Sequence, residues 1–326
     1  MKDLKKKILA AAEDDLAEIE KALSENLTPH LQLVADVAGH ILFSGGKRLR
    51  PLLMVLSARL CGYKGDYDVT FSTAIEYLHA ATLLHDDLVD GAELRRDKPV
   101  AHSLWGNAIA VLVGDFLLAR ALSTSAGTGS IEVVKVLSRL TEDMSQGEVH
   151  QLMRKGDISL QESEYLEVIR RKTAVLFEAA CRVSAIIADA PREKEEALSR
   201  YGYNLGIAFQ MADDLFDYTL ETSDLGKEVG ADLKEGKMTL PVIYALKRAE
   251  SPQRDLMIKI IEDKNFSVTD FRKLVGMLEQ CGGIAYTEEM AAAYIKKAKA
   301  ALSVFNASDT KETLEDIADY ALARRV

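Results

Sequence analysis

Cysteine and proline are both scarce in this chain of 326 residues, which holds three of the first and six of the second. Cys61, Cys181 and Cys281 are far apart and odd in number, with no C-x-x-C pair. That excludes a disulfide framework or a zinc knuckle and suits thiols in a reducing compartment. No run of about eighteen apolar residues is present; AIAVLVGDFLLARAL is interrupted by Asp115 and Arg120, so no membrane span is expected. The basic start, MKDLKKKILAAAEDDLAEIE, meets acids too soon for a secretory signal. Positive charge is also short. A net charge of −10 argues against general nucleic-acid binding, which needs a basic surface. A soluble, cytoplasmic protein is expected.

What the chain does have is helical periodicity from end to end, without alternating runs bounded by turn pairs. So few prolines leave room for long helices. The pattern predicts helices over 2–24, 29–42, 51–60 and 67–90, with Pro51 in a first turn. Further ones are expected at about 106–124, 130–153, 161–188 and 192–220. Shorter ones follow at 239–249, 252–263, 268–280, 284–304 and 309–323. With 48% hydrophobic residues and no low-complexity tract, repeat or linker, one all-α domain spanning 1–326 is expected. The segment from Glu221 to Gly236 is polar, lysine-bearing and glycine-rich, as in a loop that closes over a ligand; an ordinary connector has the same composition.

Two stretches carry the chemistry. HDDLVD places Asp86 and Asp90 on one helical face with Asp87 on the flank, and QMADDLFD repeats that spacing with Asp213, Asp214 and Asp217. Carboxylates so spaced repel unless a cation lies opposite, and Mg²⁺ commonly shares such pairs with substrate phosphates. One copy alone reads more simply as a solvated face. Two copies, each preceded by apolar or small residues, point to a diphosphate held by metal between facing helices. Basic residues crowd the same motifs: Lys47, Arg48 and Arg50 in GGKRLRP, then Arg95 and Arg96, Arg171 and Lys172, Lys227 and Lys237. An acidic protein with local cations suits a small phosphorylated substrate. GGKRLRP is not a Walker loop and, alone, is a glycine cap before a basic helix start. His79 lies seven residues before Asp86 and shares its face; alone it reads as a satisfied histidine. The His85-Asp86 pair of a phosphohydrolase would need further histidines, and His30, His40, His102 and His150 lack the spacing.

GGKRLRP, HDDLVD with its arginine pair, KT, FQMADDLFD and GKxxGxDLxxGKxTLP stand in one order from about residue 40 to 245. In that order they resemble the trans-isoprenyl diphosphate synthases, the polyprenyl synthetase family, and most of all its long-chain octaprenyl members. The resemblance implies an isoprenoid-synthase-type helical bundle around a deep central cavity, and a homodimer. It implies three Mg²⁺ ions bridging the allylic diphosphate, with Asp86, Asp90 and Asp213 as principal ligands and Asp87, Asp214 and Asp217 in support. Arg95, Lys172, Lys227 and Lys237 would hold the allylic diphosphate; Lys47, Arg50, His79 and Arg96 would hold isopentenyl diphosphate. Thr173 and Gln210 would stabilise the allylic cation. The family carries Gly and Thr around the proline after the arginine pair, where this chain has Asp97 and Val100, which puts that loop's conformation in question.

The reaction so implied is ionisation of an allylic substrate such as farnesyl diphosphate, attack by the alkene of isopentenyl diphosphate, and loss of a proton to the released diphosphate. Chain length would be read one and two turns before the first motif, at Leu78, Ala81 and Thr82. Aromatics there stop elongation early in the family; small Ala81 and Thr82 imply a long product for quinone side chains, handed to a membrane. Shorter-chain synthases, a terpene cyclase and a non-catalytic regulatory subunit are the rivals. Two all-aspartate repeats and the second diphosphate pocket weigh against the last two. Arg324 and Arg325 fit a diphosphate contact or a solvated tail.

Overall fold

The computed structural model describes residues 2–96, 98–219 and 230–323. Its first half runs α1 (Lys2–Ala11), α2 (Glu13–Glu25), α3 (Gln32–Leu42), α4 (Leu49–Leu60) and α5 (Tyr67–Val89). A hairpin follows, β1 (Leu94–Arg95) against β2 (Lys98–Pro99), with Leu94 opposite Pro99. Next come α6 (Ala101–Trp105), α7 (Asn107–Gly127), α8 (Ile131–Met153) and α9 (Glu162–Ile169). A π-helical turn, Arg170–Ala174, leads into α10 (Val175–Ile187) and then α11 (Arg192–Thr219). The rest is α12 (Ala231–Lys234), α13 (Leu240–Arg248), α14 (Ser251–Glu262), α15 (Val268–Gln280), α16 (Gly283–Ala301) and α17 (Asp309–Ala323).

Local chemistry sets many of these boundaries. Ser130 and Ser267 cap α8 and α15 by accepting from the amides of Val133 and Asp270. At α9, Gln161 and Glu164 form a reciprocal capping box. Pro241 and Pro252 sit in the first turns of α13 and α14, where the missing amide costs nothing. The helix expected over 2–24 is divided at Ala12, and the one over 161–188 is interrupted by the π turn. Neither break has a Pro or Gly to signal it. The hairpin is too short to show strand alternation.

Two apolar cores share α11 as a spine. Ala197, Leu198, Tyr201 and Leu205 belong to the core built by α2–α5, α7, α8 and α10. One turn later Ile207, Met211, Leu215 and Tyr218 enter the core formed with α9, α13, α14, α15 and α16. Because α11 is apolar on both sides of this changeover, its aspartate end is held rigidly. α7 packs along α5, its long neighbour. By length and composition alone α7 is apolar enough to cross a membrane, a test that helices packed in a protein core pass as well. Both polar residues are engaged: Asp115 lies 3.6 Å from His85, and Arg120 donates to the Asn26 carbonyl at 2.7 Å.

Candidate active site

The aspartates of α5 and α11 meet across one cleft of about 670 Å³, lined by Asp86, Asp90, Asp213, Asp214 and Asp217. Lys47, Arg95, Arg96, Lys172 and Lys237 line it too, with Thr173 and Gln210 at its inner end. Lys172 Nζ lies 3.8 Å from Asp86 and pairs closely with Glu148. Lys237 Nζ lies 3.8 Å from Asp90, and Lys155 Nζ donates to the same carboxylate at 3.2 Å. Burial pushes Asp86 up to about 6 against the pull of Lys172, with Glu148 and Asp90 adding to the rise. For Asp90 burial is outweighed by Lys237, Lys155 and Lys172, which hold it below its ordinary value. A divalent cation here would itself be the largest local charge and favour both ionised forms.

The supporting aspartates do different work from one another. Asp87 is buried outside the cleft lining, and its carboxylate takes Arg95 Nε at 2.9 Å and Nη2 at 2.6 Å. It positions that guanidinium. Asp217 accepts from the amides of Ala231 and Asp232, both at 3.2 Å, tying α12 to the end of α11. Asp214 accepts from Tyr165 Oη at 2.6 Å and Gln210 Nε2 at 2.8 Å, while Gln210 Oε1 accepts from Thr173 at 2.7 Å. Burial, then Asp232, lifts Asp214 to about 8 despite those bonds.

The π turn explains how Lys172 and Thr173 reach their places. An inserted residue re-aims side chains in an otherwise continuous helix. Glycines on both neighbours make room for the wider turn. A Cβ on Gly147 of α8 would sit 2.8 Å from Arg171 Cβ, and one on Gly206 of α11 would sit 2.6 Å from Ala174 Cα.

The basic segment before α4 divides its labour. Arg48, in a left-handed conformation (φ 45°), is buried and bonds to Glu20, to Glu76 at 2.7 Å and to the Leu42 carbonyl. It is structural. Lys47 stands 5.2 Å over the Tyr320 ring, and Arg50 lies 4.6 Å over Phe177. Arg50 Nη1 donates to His79 Nε2 at 3.2 Å. Burial, with Arg50, Arg95 and Arg96, holds the His79 pKa well below its ordinary value, so the ring is neutral and carries its proton on Nδ1. Arg96 adopts φ 52° at the hairpin and packs on Gly46, whose added Cβ would meet its guanidinium at 3.3 Å. Val100 donates to the Glu93 carbonyl at 3.1 Å and closes that loop. Asp97, Lys227, Arg324, Arg325 and residues 221–229 of the expected closing loop lie outside the described residues.

Beneath the cleft a second cavity of about 900 Å³ shares Asp86, Lys172, Thr173 and Gln210 with it. Arg50, His79, Leu78, Ala81 and Thr82 line it, and it continues to Leu118 of α7 and to Thr141 and Met144 of α8. Those last three were not singled out in the sequence; on apolar helices they look like any core position. Glu148, which lines the lower cavity, and Lys155, which reaches Asp90 from behind the cleft wall, were missed as well. Glu148 had a faint signal in its neighbour Gly147, Lys155 none.

Among the described residues no three acidic, histidine or cysteine side chains converge as a closed protein cage for a metal would require. Carboxylates lining one open cleft from two helices instead fit hard cations whose remaining ligands are water and substrate oxygens.

An all-helical bundle with two aspartate helices over a cation-lined cleft that adjoins a second cavity, polar at the cleft and apolar toward Leu78, Ala81 and Leu118, is an isoprenyl synthase of the all-α type. The polyprenyl synthetase family model matches residues 31–278, and the chain belongs to that family. It is 40% identical over 318 residues to the octaprenyl diphosphate synthase of Escherichia coli K12, covering 98% of each chain. A polyprenyl synthase from Caulobacter crescentus CB15, complexed with calcium and isoprenyl diphosphate, superposes with TM-score 0.92 at 42% identity and 98% coverage of both chains. A decaprenyl diphosphate synthase from Rhodobacter capsulatus gives TM-score 0.92 at 37% identity, covering 97% of this chain and 98% of its own. The protein is an enzyme, a trans-prenyltransferase.

Proposed function

We propose that this protein is an Mg²⁺-dependent synthase that extends an allylic diphosphate, farnesyl diphosphate for preference, with isopentenyl diphosphate to a long all-trans product. Octaprenyl diphosphate, a quinone side-chain precursor, is the product we assign. The observation that carries this reading is the continuity of the cation-lined aspartate cleft with a cavity near the upper end of the ~300–1,000 Å³ usual for small-molecule pockets.

Asp86, Asp90 and Asp213 would hold three Mg²⁺ ions, with Asp214 and Asp217 in support, and Asp87 acting through Arg95. Bound there, Mg²⁺ supplies charge neutralisation to the departing diphosphate. Arg95, Lys172 and Lys237 add positive charge along the same cleft, and Lys227 is assigned the same role from its motif. Thr173 Oγ1 and Gln210 Oε1, 2.7 Å apart, present oxygen dipoles to the developing allylic cation. Lys47, Arg50 and Arg96 would orient isopentenyl diphosphate, and His79 Nδ1–H could donate to it. The tail would descend past Leu78, Ala81 and Thr82. The leaving diphosphate takes the proton, and exclusion of water keeps the cation from being trapped as an alcohol.

The unit is a single domain working as a homodimer. Val111 and Leu112 on α7 and Met153 on α8 are exposed apolar side chains that a second copy would cover. Purified protein with Mg²⁺, isopentenyl diphosphate and farnesyl diphosphate, its products sized by mass spectrometry, tests the assignment. One dominant long product supports it; a short product overturns the chain length, and no elongation with any primer overturns the reaction.

A further inference from the structure

Lys155 follows the last turn of α8 and belongs to none of the motifs above. Its Nζ donates to one oxygen of Asp90 at 3.2 Å, while Lys237 Nζ stands 3.8 Å from the other. Backbone contacts fix this placement. The Gly156 amide donates to the Gly236 carbonyl at 2.8 Å, both glycines having left-handed φ, 77° and 79°. A Cβ on Gly236 would lie 3.2 Å from Lys155 Cγ, so the lysine stem rests on the segment leading to Lys237.

The lysines around the cleft differ in their company. Lys172 has Glu148 besides Asp86, and Lys237 has Asp232 and Glu235 besides Asp90. Among the described residues, Lys155 pairs with Asp90 alone. Once Asp90 turns to a divalent cation, Lys172 and Lys237 keep a protein counter-ion and Lys155 loses its own. Its side chain, 28% exposed in the pair with Asp90, stands beside a cleft wall made by Gln151, Arg154, Gly236 and Lys237. Arg154 is already committed to Asp157 and Glu164. A partly desolvated cation next to a newly bound ion is stabilised by an anion between them.

We propose that Lys155 is a further ligand of the allylic diphosphate, exchanging Asp90 for a phosphate oxygen when substrate and metal enter. This rests on the reading of the cleft as the allylic diphosphate site. Calorimetric titration of inorganic diphosphate into the full-length protein at fixed Mg²⁺ tests it, with wild type, Lys155→Gln and Lys155→Arg. Affinity is expected to fall about ten-fold in the Gln variant and to recover in the Arg variant, as for loss of one charged hydrogen bond. KM for the allylic substrate should rise with it while KM for isopentenyl diphosphate stays put. Unchanged diphosphate affinity in Lys155→Gln overturns the proposal, as does an equal rise in both KM values. A changed Mg²⁺ requirement with an unmoved diphosphate isotherm would make Lys155 only a prop for Asp90, and overturns it too. A wild type that binds no diphosphate overturns the reading of the cleft itself.

Discussion

Three lysines rest on two aspartates in the cleft: Lys172 on Asp86, Lys155 and Lys237 on Asp90. The cations that would meet a diphosphate are thus parked on the carboxylates that would meet a metal, and the cleft is close to neutral before anything binds. Asp86→Ala and Asp213→Ala should each lower turnover by at least ~100-fold, the scale of losing one main electrostatic contact in a transition state. Both side chains sit on the cleft wall, so melting temperatures should stay within a few degrees of wild type. Near-normal activity in either variant would sink the metal assignment. Ala81 is 3% exposed and lines the lower cavity. Phenylalanine there fills the passage between Leu78 and Thr82, and product sizing of Ala81→Phe should show chains shortened by several isoprene units. An unaltered product distribution would place the passage elsewhere.

At the scale of elements, the π turn between α9 and α10 does most to shape the site. Its wider backbone fits only because Gly147 and Gly206 face it. Gly206→Ala puts a methyl 2.6 Å from Ala174 Cα, a backbone atom that cannot swing away. The expected cost is about 1–3 kcal/mol of stability, read by urea unfolding, together with a drop in turnover as the Thr173–Gln210 bond is pulled apart. Gly127→Ala serves as the control, since a Cβ there meets nothing within 4 Å. Equal stability of the two variants would show that the close approach carries no strain. Neither glycine announced this role in the sequence beyond a small residue in a helix, because the partner backbone is brought in from elsewhere in the chain.

For the molecule as a whole, α11 joins two cores, and the cleft opens where the first gives way to the second. Leu112 of α7 and Met153 of α8 are exposed large apolar side chains, at 62% and 77%. If the proposed dimer forms through these side chains, Leu112→Glu combined with Met153→Glu should give a monomer in light scattering, because two buried charges per copy would oppose each other across a symmetric interface. A double variant with the mass of the unmodified protein would exclude them from the interface.

The helices, their order and the paired aspartates were legible in the sequence because they depend on local chemistry: apolar residues at helical spacing, few prolines, carboxylates four apart. So was the resemblance from GGKRLRP to GKMTLP, which is carried by motif order. What the chain order could not say is which like charges end up where. Arg48 and Arg50 differ by two positions, yet one is locked between Glu20 and Glu76 and the other lies over Phe177. Asp87 reads as a supporting metal-side carboxylate, and its carboxylate also seats the Arg95 guanidinium. Lys155 belongs to no motif and yet reaches Asp90, 65 residues away in the chain. Those assignments belong to tertiary structure alone, because the partner that sets each charge's role comes from another helix.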